Sequence, residues 1–153
     1  MNKRMIIRIG GLVLCVMFFI LPLVQCSQDS RINATGWEIS TGTGDLYDES
    51  GEDGNPFVFV LIIIPVILFI IALTKKSFAV LRNVSIAGLV AKIIFIIGAY
   101  IMLNSDDYGS MFELTAFNWL VVGIYIGLVC IAHVGIKSET TESSHSPPLQ
   151  DSS

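Results

Sequence analysis

Long apolar runs alternate with short polar stretches along this chain, and the apolar residues are clumped rather than periodic. A soluble helix shows an apolar stripe, whereas a helix apolar all round is buried in protein or lipid. Runs of about eighteen or more apolar residues read as membrane spans. Four runs are long enough to consider. The first, Met5 to Gln25, follows Lys3 and Arg4 and carries Arg8 near its start. The second, Phe57 to Thr74, is opened by Asn55-Pro56, a good N-cap followed by a residue suited to the first helical position. The third covers Ser77 to Leu103, with Arg82 at its beginning and Lys92 inside it, and the fourth covers Leu114 to Ile136.

This layout predicts an all-α membrane protein with four transmembrane helices in an antiparallel bundle and both termini cytoplasmic. Its segments are a first helix or signal anchor over 1–26, an extracytoplasmic acidic, Gly-rich loop over 27–56, and helices over 57–74 and 77–103. A short outer loop over 104–113, a last helix over 114–136 and a disordered tail over 137–153 complete it. Orientation follows from Lys and Arg, which are retained on the cytoplasmic side. Lys3, Arg4, Arg8, Lys75, Lys76, Arg82 and Lys137 all flank the same side, and the predicted outer segments hold only Arg31. Trp119, Phe117 and Tyr108 are placed at the outer interface, where amphipathic rings anchor. The outer loop is too poor in apolar residues to fold alone. Trp37 and Ile39 are expected to hold it against the helices, with the acidic part from Thr41 to Asn55 mobile.

Composition agrees: 53% of residues are hydrophobic and 14% charged, so a water-soluble fold is excluded. The net charge of −4 is a sum over segregated loops and identifies no partner. No basic patch interleaved with aromatics supports nucleic-acid binding. The expected partners are the lipid bilayer and another membrane protein or a second copy of this chain.

The stretch LPLVQC, ending at Cys26, leaves three readings open. Ile9 to Val24 is slightly longer than the usual apolar centre of about 7–15 residues in a secretory signal. Taken from Met5, with Arg8 reaching back to the headgroups, the segment is long enough to span. Leu23-Val24-Gln25-Cys26 also approaches the pattern in which a cysteine is lipidated, although Gln25 stands where a small residue belongs. Ordinary cleavage after Cys26 is the third reading, and a retained helix is favoured. Leu21-Pro22, Cys26 and Thr35-Gly36-Trp37-Glu38-Ile39-Ser40-Thr41-Gly42 together resemble the amino end of small bacterial membrane proteins of unknown function. That resemblance implies four spans, the bacterial cytoplasmic (inner) membrane and a retained first helix. It implies no activity.

Lys92 is the sharpest candidate site, because a charge within a span costs about 2.5–3.5 kcal/mol on insertion scales and marks function by default. A structural role, snorkelled or bonded to neighbouring helices, is weighed above contact with an anionic ligand or lipid. Gly123 and Gly127 form a G-x-x-x-G, and Ala87 and Ala91 are small partners four apart; such positions let helices approach closely. Packing within the protomer is favoured over a homodimer seam. The acidic run Asp45 to Asp53 does not fit a calcium loop, and Pro65 is expected to kink the second span. Asn33-Ala34-Thr35 is a glycosylation sequon, relevant only in a eukaryotic host. With His133 and His145 as the sole histidines, no catalytic grouping, metal cluster or phosphate loop is visible, so no enzymatic activity, cofactor or metal is expected. Two functions lead: a scaffold or accessory membrane protein, and a small transporter or channel component using Lys92, Tyr125 and the Pro65 kink; a third, an envelope sensor signalling from the outer loop to the tail, rests on the threading alone.

Overall fold

The computed structural model describes residues 2–26, 33–44, 54–74, 77–103 and 112–144. Five α-helices and three short strands lie among them: α1 (Lys3–Ile20), β1 (Pro22–Cys26), β2 (Asn33–Thr35), α2 (Gly36–Thr41), α3 (Val60–Leu73), α4 (Phe78–Leu103), β3 (Phe112–Leu114) and α5 (Phe117–Ser144). A 3-10 turn, Pro56–Phe59, leads into α3, and the Asn55 side chain accepts from Phe57 N at its start. Three helices are long and apolar enough to cross a membrane, over Pro56–Leu73, Phe78–Ile101 and Phe117–Glu139. They mark the chain as an integral membrane protein.

The first apolar run does not stay helical to Gln25. Asn2 caps α1 by accepting from Arg4 N. The helix stops at Ile20 because Pro22 clashes with a helical residue before it and pushes Leu21 into the extended region, at φ −91° and ψ 132°. Beyond Leu21 the chain runs as a strand. Pro22, with no N–H, is tolerable at the first position of β1. From there β1 becomes the centre of a three-stranded sheet, order β2-β1-β3. Both pairings are antiparallel, with Val24 and Gln25 opposite Ala34 and Asn33 on one side and Leu114 and Glu113 on the other. The residues expected to end one span and begin another thus form a cap on the helices.

The stretch after Asn33 folds for local reasons. Thr35 and Glu38 make a capping box: Glu38 Oε2 accepts from Thr35 N at 2.7 Å and Thr35 Oγ1 accepts from Glu38 N at 3.3 Å. Gly42 ends α2 in the left-handed region at φ 68°, where glycine has no Cβ penalty. Gly36 lies so close to the Phe18 ring that a Cβ would overlap it. Trp37 then rests between Phe19 and Phe59, with ring centroids 5.6 and 5.9 Å away. The acidic segment 45–53 lies outside the described residues.

The core runs between the long helices through Ile7 and Leu14 of α1, Leu68 and Ala72 of α3, Phe78 and Leu81 of α4, and Tyr125, Leu128 and Ala132 of α5. Ile63, Ile70, Val90, Ile94, Leu120 and Ile126 point outward and are exposed, as lipid-facing residues should be. Burying apolar side chains brings little between helices already in lipid, so packing there relies on close approach. Gly10 meets Leu128, Gly11 meets Pro65 and Phe69, Gly88 meets Tyr125, and Gly135 meets Phe78. Pro65 lies buried within α3 at the Gly11 contact.

At the end opposite the sheet the helices are tied by basic residues. Helix C-termini leave carbonyls without partners and carry partial negative charge. Arg8 Nε donates to Ala72 O at 2.7 Å and Arg4 donates to Thr74 O at 3.1 Å, so two arginines of α1 cap α3. Arg4 also pairs with Glu139 at 3.2 Å and lies 4.7 Å over the Phe78 ring. Lys3 donates to Ser138 Oγ and Val134 O. Glu139 and Ser138 belong to α5, which continues as helix to Ser144. The segment expected to be a disordered tail from 137 is therefore helical through its first eight residues.

Candidate functional site

Lys92 is 2% exposed. At 1.5 Å per residue it stands about 21 Å along α4 from Phe78. Its side chain runs toward the sheet, away from the basic end. Phe78 faces Gly135 and Gly88 faces Tyr125, so Lys92, one turn beyond Gly88, lies opposite the turn of α5 that precedes Tyr125. The stem climbs from there to the start of α5, where Nζ donates to Asn118 Oδ1 at 2.7 Å. The ammonium also lies 4.7 Å from the centroid of the Phe95 ring, a favourable cation–π distance.

Asn118 is 1% exposed and uses its whole amide. Oδ1 accepts from Lys92, while Nδ2 donates to Leu23 O at 2.8 Å and Thr115 O at 3.1 Å. Thr115 completes the group: its hydroxyl donates to Pro22 O at 2.5 Å and its N–H to Leu23 O at 3.2 Å. A lysine can only donate, so the acceptor must be Oδ1 and the amide has one orientation. The network links α4, α5 and β1, and it seats the sheet on the helices. Buried polar groups of this kind are tolerated only when bonded.

Beside this network is a cavity of about 20 Å³ lined by Lys92, Tyr125, Pro65, Leu14, Leu23 and Phe117, among others. Tyr125 is 3% exposed, and its ring and hydroxyl lie against Gly88. Lys92 and Tyr125 are thus brought to one site, with Pro65 in its wall.

The small residues are distributed differently. Gly123 is exposed, Gly127 half-buried, and neither has a neighbour that a Cβ would meet. Ala87 is exposed and Ala91 half-buried. The close contacts within the protomer fall at Gly10, Gly88 and Gly135 instead, because the buried face of α5 is set by Asn118, Tyr125, Leu128 and Ala132, and Gly123 and Gly127 lie on the opposite side. Single glycines without a spaced partner carry no motif, so nothing short of the pairing of faces reveals them. Cys26 is a half-buried free thiol at the end of β1, opposite Phe112. His133 is exposed. Among the described residues no group of three or more His, Cys, Asp or Glu is placed to hold a metal ion.

Asn118 was not legible as a site residue. An asparagine two positions into a helix reads as an interface or capping residue, and its burial follows from where β1 crosses it. Comparison with protein-family models, curated proteins and solved structures found no match to the chain.

Proposed function

We propose that this chain is a non-enzymatic scaffold or accessory protein of the bacterial cytoplasmic membrane. It has four antiparallel spans and both termini in the cytoplasm. The observation that carries the reading is how the buried polar groups are used. Lys92, Asn118 and Thr115 tie α4, α5 and β1 together, and in this reading the sheet is the surface presented on the outer side. The first helix is retained in this reading. It supplies Ile7 and Leu14 to the core and both arginines that cap α3, so removing it would expose Leu68 and Ala72 and strip acceptors of their donors. Gly123 and Gly127 turn toward the lipid, where another span of a partner or of a second copy can approach closely.

Three measurements test this in sequence. The intact mass from membranes is expected near 16.7 kDa; a species beginning at Cys26 with added acyl mass would remove the first span. In a cysteine-free background, Thr43→Cys should react with an impermeant maleimide on intact cells, and Ser77→Cys only after permeabilisation. Crosslinking in native membranes should then capture a defined partner or a dimer. Repeated failure in several detergents would sink the scaffold role.

A second reading, a small transporter or channel component, is favoured by the burial of Lys92 beside a cavity. A Lys92→Leu protein that retains every flux of the wild type would eliminate it.

A further inference from the structure

Aromatic side chains stand exposed at the sheet end of three different elements: Phe19 of α1, Trp37 of α2, and Phe57 in the turn before α3, which is 83% exposed. Two of them meet directly. The Trp37 ring lies against Phe19 on one side and Phe59 on the other, and the exposed Ile20 adjoins Phe19 along the chain. The short helix α2 spends Gly36 and Ser40, four apart, on the protein, where both are buried. Among its six residues only Trp37 is exposed.

Contacts between the helices fix the level of these rings. Gly11 meets Pro65, and Phe19 and Phe57 each stand eight residues from that contact toward the sheet, about 12 Å at 1.5 Å per residue. Gly10 meets Leu128, and Phe19 and Trp119 each stand nine residues from it in the same direction, about 14 Å. Phe57, Trp119 and Phe19, with Trp37 against it, therefore lie in one layer on the outside of the bundle. Toward the basic end the surface continues through Leu12, Val13 and Val16 of α1 and Val60 and Ile63 of α3, all exposed. Neither Leu12 to Ile20 nor Phe57 to Ile63 holds a charged or amide side chain. A protein-docking patch has a polar rim, whereas this one merges with the lipid-facing surface. Amphipathic rings gathered in one layer mark the level at which hydrocarbon gives way to headgroups. We propose that α2 is an interfacial helix, and that Phe19, Ile20, Trp37 and Phe57 form a lipid-docking face seated at the headgroup boundary of the leaflet on the sheet side. Lipid there covers the side of Trp37 that Phe19 and Phe59 leave open. The proposal rests on retention of the first helix, which supplies Phe19.

Trp37 and Trp119 are the two tryptophans of the chain, so Trp119→Phe makes Trp37 the sole reporter and Trp37→Phe makes Trp119 the control. Both full-length variants are reconstituted in phosphatidylcholine vesicles whose acyl chains carry bromine either near the headgroup or near the methyl end. Iodide on both sides of the bilayer is the aqueous quencher, and intact mass is measured on the same samples. Trp37 emission is expected to be lost mostly to the shallow bromines, less to the deep ones and hardly to iodide, in step with Trp119. Quenching of Trp37 by iodide and not by bromine would put α2 in water, and stronger quenching by the deep bromines would put it in the bilayer core. Shielding from all three would mean that a partner or a second copy covers the face. Each of these outcomes, with Trp119 still quenched by bromine, would overturn the proposal. A mass lacking the first helix would instead overturn the reading beneath it, and the proposal with it.

Discussion

Basic residues fasten both ends of this molecule, by opposite means. At one end Lys3, Arg4 and Arg8 are partly exposed and spread over several acceptors: the carbonyls of Ala72, Thr74 and Val134, and the Glu139 carboxylate. Water and headgroups can replace any one of these bonds. At the other end a single lysine is 2% exposed and commits to one amide, which in turn commits to the backbone of β1. The first arrangement is redundant and tolerant. The second is a short chain of buried links that water cannot replace, so its failure is concentrated. Charge alone does not set the importance of a basic residue here; access to substitute partners does.

The sharpest way to break that contrast is Asn118→Leu. It deprives a buried ammonium of its acceptor and removes one donor to Leu23 O, which keeps the Thr115 N–H. A lost bond to a buried charge should cost about 3 kcal/mol or more. Lys92→Met alone leaves only the neutral Asn118 oxygen unmatched and should cost about 1–2 kcal/mol. The double variant should be more stable than Asn118→Leu alone, since the stranded charge has gone. Denaturation of the purified protein, followed by tryptophan fluorescence, measures all three. A double variant whose loss equals the sum of the singles would mean that the two residues do not depend on one another.

The two ends also differ in how far they could be read from residues. The placement of Lys3, Arg4 and Arg8 beside the apolar runs was plain, as were the three long apolar helices, because both depend on local composition. That the arginines reach α3 was not plain, since it requires two helices to meet with their ends level. At the sheet end the difficulty was sharper. Ile9 to Val24 is apolar throughout, and apolarity does not distinguish a helix from a buried strand; only Leu21-Pro22 carries the break, through its effect on backbone angles. Thr35-x-x-Glu38 is a legible capping box that a search for membrane spans passes over. Asn118 was hidden because its partners, Lys92 and Leu23, are separated from it by 26 and 95 positions.

Glycines sharpen the comparison at an intermediate scale. Gly135→Ala puts a methyl into the Phe78 ring at the basic end, and overpacking of this kind costs about 1–3 kcal/mol. Gly88→Ala does the same against Tyr125 near the cavity. Gly123→Ala and Gly127→Ala meet nothing, and each should gain up to about 1 kcal/mol from helix propensity when the protomer is alone. In native membranes the sign should reverse if a partner helix occupies that face. Melting curves of the four variants, in detergent and in bilayers, separate packing inside the protomer from packing outside it.

The smallest effects belong to the redundant end. Arg8→Gln removes the charge that caps α3 but keeps some donor capacity, and helix-terminus charges are worth about 0.3–1 kcal/mol. Glu139→Gln weakens a pair whose side chains are 21% and 39% exposed, for which about 0.5 kcal/mol is expected. The Glu139 loss should shrink further in high salt, because exposed pairs are screened, whereas the Asn118→Leu loss should hardly change. Salt dependence is therefore the better discriminator than size. A Glu139→Gln protein destabilised as much as Asn118→Leu, and equally at low and high salt, would show that the basic end is no less committed than the buried one.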